Sequence, residues 1–153
     1  MFSKDEASHI RRSFWTAFGQ YMSPISSADG LKVNWINYRT GIKHLYFKLI
    51  TSNRSATIAI EYTHYDAGIR ALFWEQMESF KTLFTNQMGE EWLWEPNYTD
   101  DYGKTYCRIS TSLQGASMFN RNDWPQLISF FKSHIIVLDD FWSTAQYSFE
   151  VFK

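Results

Sequence analysis

The sequence predicts an α+β domain, a two-layer sandwich in which three helices cover a five-stranded, mainly antiparallel sheet in the order α-βββ-α-ββ-α. Three observations carry this. Apolar residues recur at helical spacing in three segments, they alternate with a period of two in five shorter ones, and polar turn residues separate the segments. No linker, internal repeat or low-complexity tract interrupts the pattern, so residues 1–153 read as one domain, within the usual size range.

The first helix opens on Ser3-Lys4-Asp5-Glu6, a Ser-x-x-Glu capping box, and continues through Ala7, Ile10, Phe14, Phe18, Tyr21 and Met22 to a stop at Pro24 and the Ser26–Gly30 stretch. From Leu31 the period is two. Val33, Trp35 and Asn37 alternate with Asn34, Ile36 and Tyr38, and Arg39-Thr40-Gly41 turns the chain into a second strand with Leu45, Phe47 and Leu49 on one face. Ser52-Asn53-Arg54-Ser55 turns it again into a third, where Ile58 and Ile60 face the helices while Ala59 and a solvated Glu61 point away. One helix is predicted over 66–88, capped by Asp66 and ended by Gly89. Strands near 92–98 and 105–113 follow, joined by Asp100-Asp101-Tyr102-Gly103. Asn122 or Asp123 caps the last helix, whose apolar stripe runs from Trp124 to Phe149. Phe130, Ile136 and Val137 widen that stripe beyond what one sheet covers, so this helix needs a second contact. The neighbouring helix or a second copy of the chain, in a homodimer, supplies it.

Charge and cysteine content bound the setting. Cys107 is the single cysteine, so no intrachain disulfide forms and a reducing compartment is indicated. The polar, acidic start and the lack of a long apolar run argue against a signal peptide or a membrane span and point to the cytoplasm. Net charge is −1, distributed unevenly. Residues 1–60 hold eight Lys or Arg against three carboxylates, a net +5, and residues 61–153 hold seven against thirteen, a net −6.

The chain resembles a bacterial family known as domain of unknown function 4268. The likeness rests on Arg12-Ser13-Phe14-Trp15, on Asn34-Trp35-Ile36-Asn37-Tyr38 running into Gly41, on Gly89-Glu90-Glu91-Trp92-Leu93-Trp94 and on Cys107-Arg108-Ile109. The resemblance implies that related domains stand at the C-terminal ends of longer proteins, some with nuclease-like regions in front. It implies no activity and no catalytic residue.

Three chemistries compete. The order α-βββ-α-β matches the core of restriction-endonuclease-like proteins, which hold divalent cations with carboxylates on the second and third strands. Here Glu61-Tyr62-Thr63 supplies one carboxylate, Glu6 is a distant second, residues 43–50 hold none, and Thr63 stands where a lysine is needed, which fits at most an inactive relative. His9, His44, His64 and His134 lack zinc spacing, and Cys107 alternates with Ile109 as a core residue, so no metal, cofactor or catalytic residue is expected. A nucleic-acid face is the second candidate, formed by Trp35, Tyr38, Arg39, Lys43, Tyr46 and Lys48, where rings stack on bases and cations meet phosphates. The third is a protein-interaction module with an unidentified protein partner. Seven Trp, nine Tyr and thirteen Phe exceed what the core requires, and Trp15, Trp74 and Trp142 sit beside the apolar stripes. The residues favour a non-catalytic binding or interaction domain, with a nucleic-acid-associated domain as the alternative.

Overall fold

A computed structural model describes residues 2–153. The chain runs α1 (Lys4–Met22), β1 (Leu45–Thr51), β2 (Ser55–Tyr62), α2 (Ala67–Glu78), α3 (Lys81–Met88), β3 (Leu93–Thr99), β4 (Thr105–Gln114) and α4 (Trp124–Ala145). Short 3-10 turns occupy Arg121–Asp123 and Gln146–Phe152. The sheet is four-stranded and antiparallel in the order β1-β2-β4-β3, so β1 and β3 are its edges. The architecture is α+β, with four strands and four helices where five and three are expected.

Both differences have a physical cause. The segment predicted as a first strand is a folded loop. The Asn34 side chain accepts hydrogen bonds from the N–H groups of Ile36 and Asn37, both at 3.1 Å, closing a turn on donors that a strand would give to a neighbour. Trp35 plugs this loop into the core and donates its ring N–H to the Ile25 carbonyl. The helix predicted over 66–88 breaks at Ser79 and Phe80. There the Phe80 N–H bonds the Met77 carbonyl at 3.0 Å, and the Phe80 ring turns onto Phe141 and Phe149.

The capping box at Ser3 and Glu6 forms as predicted, Asp66 caps α2, and Gly89 ends α3 at φ 74°. At α4 the expected side-chain cap is absent. Asp123 instead accepts from the Ser117 N–H, and Asn120 accepts from the Asn122 N–H. The apolar run that extends the last helix to Phe149 continues past Ala145 as the 3-10 turn.

All helices lie on one side of the sheet. Helix α4 occupies the middle of that layer, touching β2, with α1 on one flank and α3 on the other. Phe14 and Phe18 of α1 meet Phe131 of α4, Phe84 of α3 meets Phe141, and Phe47, Ile58, Ile60 and Ile109 close the core from the sheet. Phe130 and Ile136 are partly buried and packed against the core within this layer, and Val137 is half-buried, so most of the broad apolar stripe of α4 finds neighbours inside the chain. Among the described residues, no helix is long and apolar enough to cross a membrane.

Candidate functional site

The sheet's other face carries no helix. Strand alternation places Tyr46, Lys48 and Ile50 of β1 there, with Thr57, Ala59 and Glu61 of β2 and Tyr106, Arg108, Ser110 and Ser112 of β4. Cross-strand register makes one row of Tyr46, Glu61, Arg108 and Glu95. Glu61 is 3% exposed, which corrects the expectation of a solvated carboxylate. Longer side chains cover it. Lys48 Nζ lies 3.3 Å from one carboxylate oxygen and Arg108 Nε lies 3.4 Å from the other. The Arg108 guanidinium also rests 4.5 Å from the centre of the Tyr98 ring.

This arrangement decides what Glu61 can do. Two cations neutralise it, and Arg108 separates it from Glu95, the next carboxylate in the row. A divalent cation of the catalytic kind needs carboxylates converging on a shared space, and among the described residues no such group of His, Cys, Asp and Glu exists. Only two strands precede α2, so the three-strand run that suggested a nuclease-like core is not formed. Cys107 is a core residue as expected, and burial pushes its thiol up to about 11.

A second feature lies along the free edge of β1. One groove of about 530 Å³ runs between β1 and the folded loop, lined by Trp15, Ile36, Tyr38, Arg39, Lys48 and Leu49 among others. A second, of about 560 Å³, runs along α1 over Ser8, Arg11, Arg12, Trp15, Thr16 and Gly19 to Ile36. The α1 residues recur at i, i+3, i+4, i+7, i+8 and i+11, a single helix face. Trp15 and Ile36 belong to both grooves, so the two form one trough. Arg11, Arg12, Arg39 and Lys48 line it, no carboxylate does, and Arg11, Arg12 and Arg39 have no ion-pair partner among the described residues.

The loop that walls this trough is held by one buried carboxylate. Asp139 of α4, 4% exposed, accepts from the Tyr38 hydroxyl at 2.5 Å and from the Ala28 N–H at 2.7 Å. Burial first, then the hydrogen bond to Asp139 and its charge, raise the Tyr38 phenol far above its ordinary range, so it stays a donor. The Tyr38 ring stacks on Phe47 with centroids 5.1 Å apart, tying the loop to β1.

Of the six residues predicted to form a ligand face, Tyr38, Arg39, Tyr46 and Lys48 share the groove along β1. Trp35 and Lys43 do not line it. Trp35 is a core residue at 3% exposure, and Lys43 stands out from the turn before β1. Trp15 joins the trough while Trp142 is buried, donating its ring N–H to the Thr40 carbonyl. Sequence reasoning missed Arg11, Arg12 and Ile36 as lining residues, and Asp139 as the anchor. The signal for the arginines was present, since Arg11 and Arg12 stand one helical turn before Trp15.

Fold and surface together define a small α+β sandwich with a polar, helix-free sheet face and a basic trough along one sheet edge. Residues 10–146 match a family model described as Domain of unknown function (DUF4268), and the chain belongs to that family. Comparison with curated proteins and with solved structures finds no match.

Proposed function

We propose that this chain is a non-catalytic binding domain that holds an anionic macromolecular partner in the trough formed by α1, the loop through Ile36–Arg39 and β1. The observation that carries this reading is the sign of the lining. Four cations and no carboxylate surround an apolar floor of Trp15, Ile36 and Leu49 in a chain whose net charge is −1. Clefts of one sign, walled by low-dielectric side chains, concentrate counter-charged partners and steer their approach. The Lys48 cation is shared with Glu61, so Arg11, Arg12 and Arg39 carry most of the attraction.

Fluorescence-anisotropy titrations with labelled polyglutamate and labelled oligothymidylate test this at low salt. Binding of at least one polyanion is expected, falling as salt is added. The double variant Arg12→Glu/Arg39→Glu loses it, while Lys104→Glu, in the turn between β3 and β4, keeps it. If neither polyanion binds the native chain, or if both variants behave alike, the reading is wrong.

A further inference from the structure

The β1 edge is chemically different along its length, and the hydrogen bonds around it show how. The His44 carbonyl accepts from the Thr63 N–H at 2.8 Å, and the Ser52 N–H bonds the Ser55 carbonyl at 2.9 Å. Both are facing pairs of the β1–β2 ladder. In an antiparallel ladder, hydrogen-bonded pairs alternate with non-bonded ones. Tyr46, Lys48 and Ile50 therefore bond β2, and the N–H and C=O groups of Leu45, Phe47 and Leu49 point out of the sheet. At Leu45 the chain satisfies them. Its N–H bonds the Ile42 carbonyl at 3.3 Å, and its carbonyl accepts from the Thr40 hydroxyl at 3.0 Å. The outward groups of Phe47 and Leu49 have no partner among the described residues.

The opposite edge is treated otherwise. Strand β3 contains Pro96, and its pairing with β4 shifts register between Glu95 and Tyr98. Proline and bulges are the usual devices that stop an edge from recruiting another strand. Strand β1 has neither, and its register runs unbroken from Leu45 to Thr51. Its unpaired groups open onto the trough described above.

We infer that β1 receives an extended acidic segment of a partner protein as an added strand, paired to the backbone of Phe47 and Leu49. This deepens the binding reading above and rests on it. An added strand points alternate side chains to opposite faces. One set falls toward Trp15, Ile36 and Leu49 and is apolar. The other falls toward Tyr46 and Lys48, with Arg39 lining the same groove, and is acidic. Single-stranded nucleic acid fits less well, because phosphates meet the outward carbonyl oxygens of Phe47 and Leu49 with like polarity. A second copy of this chain fits less well too, since pairing two β1 edges brings Lys48 and Arg39 against their own counterparts.

The test uses the full chain, its assigned amide NMR spectrum and a short capped peptide that alternates Glu and Val, titrated to the order of 1 mM. The expected result is movement of the Phe47 and Leu49 amide resonances and slowed hydrogen exchange at both. Two N-methylated versions of the peptide, each blocked at one alternate set of amides, leave the protein untouched. One version binds about tenfold more weakly and the other binds within about twofold of the parent, because one set faces β1 and the other faces away. Equal effects of the two versions, or peptide binding that leaves Phe47 and Leu49 unmoved, overturn strand addition. Oligothymidylate binding in the trough with no peptide binding also overturns it while the anionic-partner reading stands. If the peptide, oligothymidylate and polyglutamate all fail to bind, both readings fail together.

Discussion

Glu61 shows how a residue's neighbours, more than its own type, set its role. It faces the helix-free side of the sheet, yet Lys48 and Arg108 close over it until 3% remains exposed. Replacing the carboxylate by an amide leaves Lys48 and Arg108, whose side chain is 17% exposed, facing an uncharged group whose single oxygen can accept from only one of them while its N–H groups face the other. Breaking a buried ion pair from one side is costly, although the half-exposed Lys48 recovers solvation. Glu61→Gln is expected to lower unfolding free energy by ~1–3 kcal/mol. Urea denaturation should show a lower midpoint at unchanged slope. A variant within experimental error of the parent would mean that the row is solvated in solution.

Cys107 gives a pH-dependent counterpart. Burial pushes its thiol from 9.0 up to about 11, with the Arg70 charge opposing. A group whose folded value is raised contributes stability that is fully present below its unfolded value and lost as pH rises through the folded one. Stability should therefore fall as pH climbs from 9.0 through about 11. Tyr62 and Tyr106, also raised mainly by burial, add to the loss above their ordinary value of 10.0, with Tyr106 pushed up to about 12. Cys107→Ala should flatten the first part of this decline, before the phenols contribute. Melting temperatures measured at closely spaced alkaline pH values check this, and an equally steep fall in the variant would contradict it.

At the scale of elements, the loop between α1 and β1 is tied to α4 by Asp139, which holds Tyr38 and Ala28, and by Trp142, which holds Thr40. Asp139→Ala orphans the Tyr38 hydroxyl and the Ala28 N–H at once, a loss of ~2–4 kcal/mol for two bonds to a buried carboxylate. Limited proteolysis should then cut within the loop while the sheet amides keep their exchange protection. Binding in the trough should weaken with the loss of the Ile36–Arg39 wall. Helix α1 offers the opposite experiment. Gly19 lies within its span, and an added Cβ would meet Ile36 Cδ1 at 3.5 Å, an ordinary contact. Gly19→Ala should stabilise the chain by ~0.5–1 kcal/mol, read as a raised melting temperature. A lower one would show that the helix and loop pack too tightly for a methyl group.

The legibility of these elements follows from where their signals lie in the chain. Helix α1, the two hairpin turns and the stripe of α4 were readable because caps, turn residues and periodicity are local. Residues 31–38 were not. Alternation there arises from the Asn34 turn and the Trp35 plug, and periodicity alone does not separate these from a strand. Nor does anything local break the helix at Ser79 and Phe80, where neither Gly nor Pro stands and the Phe141 and Phe149 rings draw Phe80 aside. The candidate site was readable only in part for the same reason. Tyr38, Arg39, Tyr46 and Lys48 are close in sequence, whereas Arg11, Arg12 and Trp15 reach the trough through tertiary packing.

For the whole molecule, association follows from which surfaces remain unpartnered. The apolar breadth of α4 suggested a second copy, but α1 and α3 flank that helix within the chain. Of the strongly exposed large apolar residues, Tyr65 and Tyr102 stand in separate connecting segments, whereas Leu72 and Val151 line one pocket with Ile69 and Phe152. Scattered exposed rings are normal for a monomer. The unpaired β1 edge is one route to self-association, and like charges line it. The expected outcome is a single-chain mass by sedimentation at micromolar concentration and physiological ionic strength. Salt sharpens the test, because a Debye length of ~10 Å at 0.1 M shrinks to ~3 Å at 1 M. If charge alone keeps two β1 edges apart, a dimer should emerge only as salt rises, and neutralising one of the facing cations, as in Arg39→Gln, should promote it at low salt. A dimer that is already complete at low salt in the native chain would contradict this account and return the interface to the helical layer.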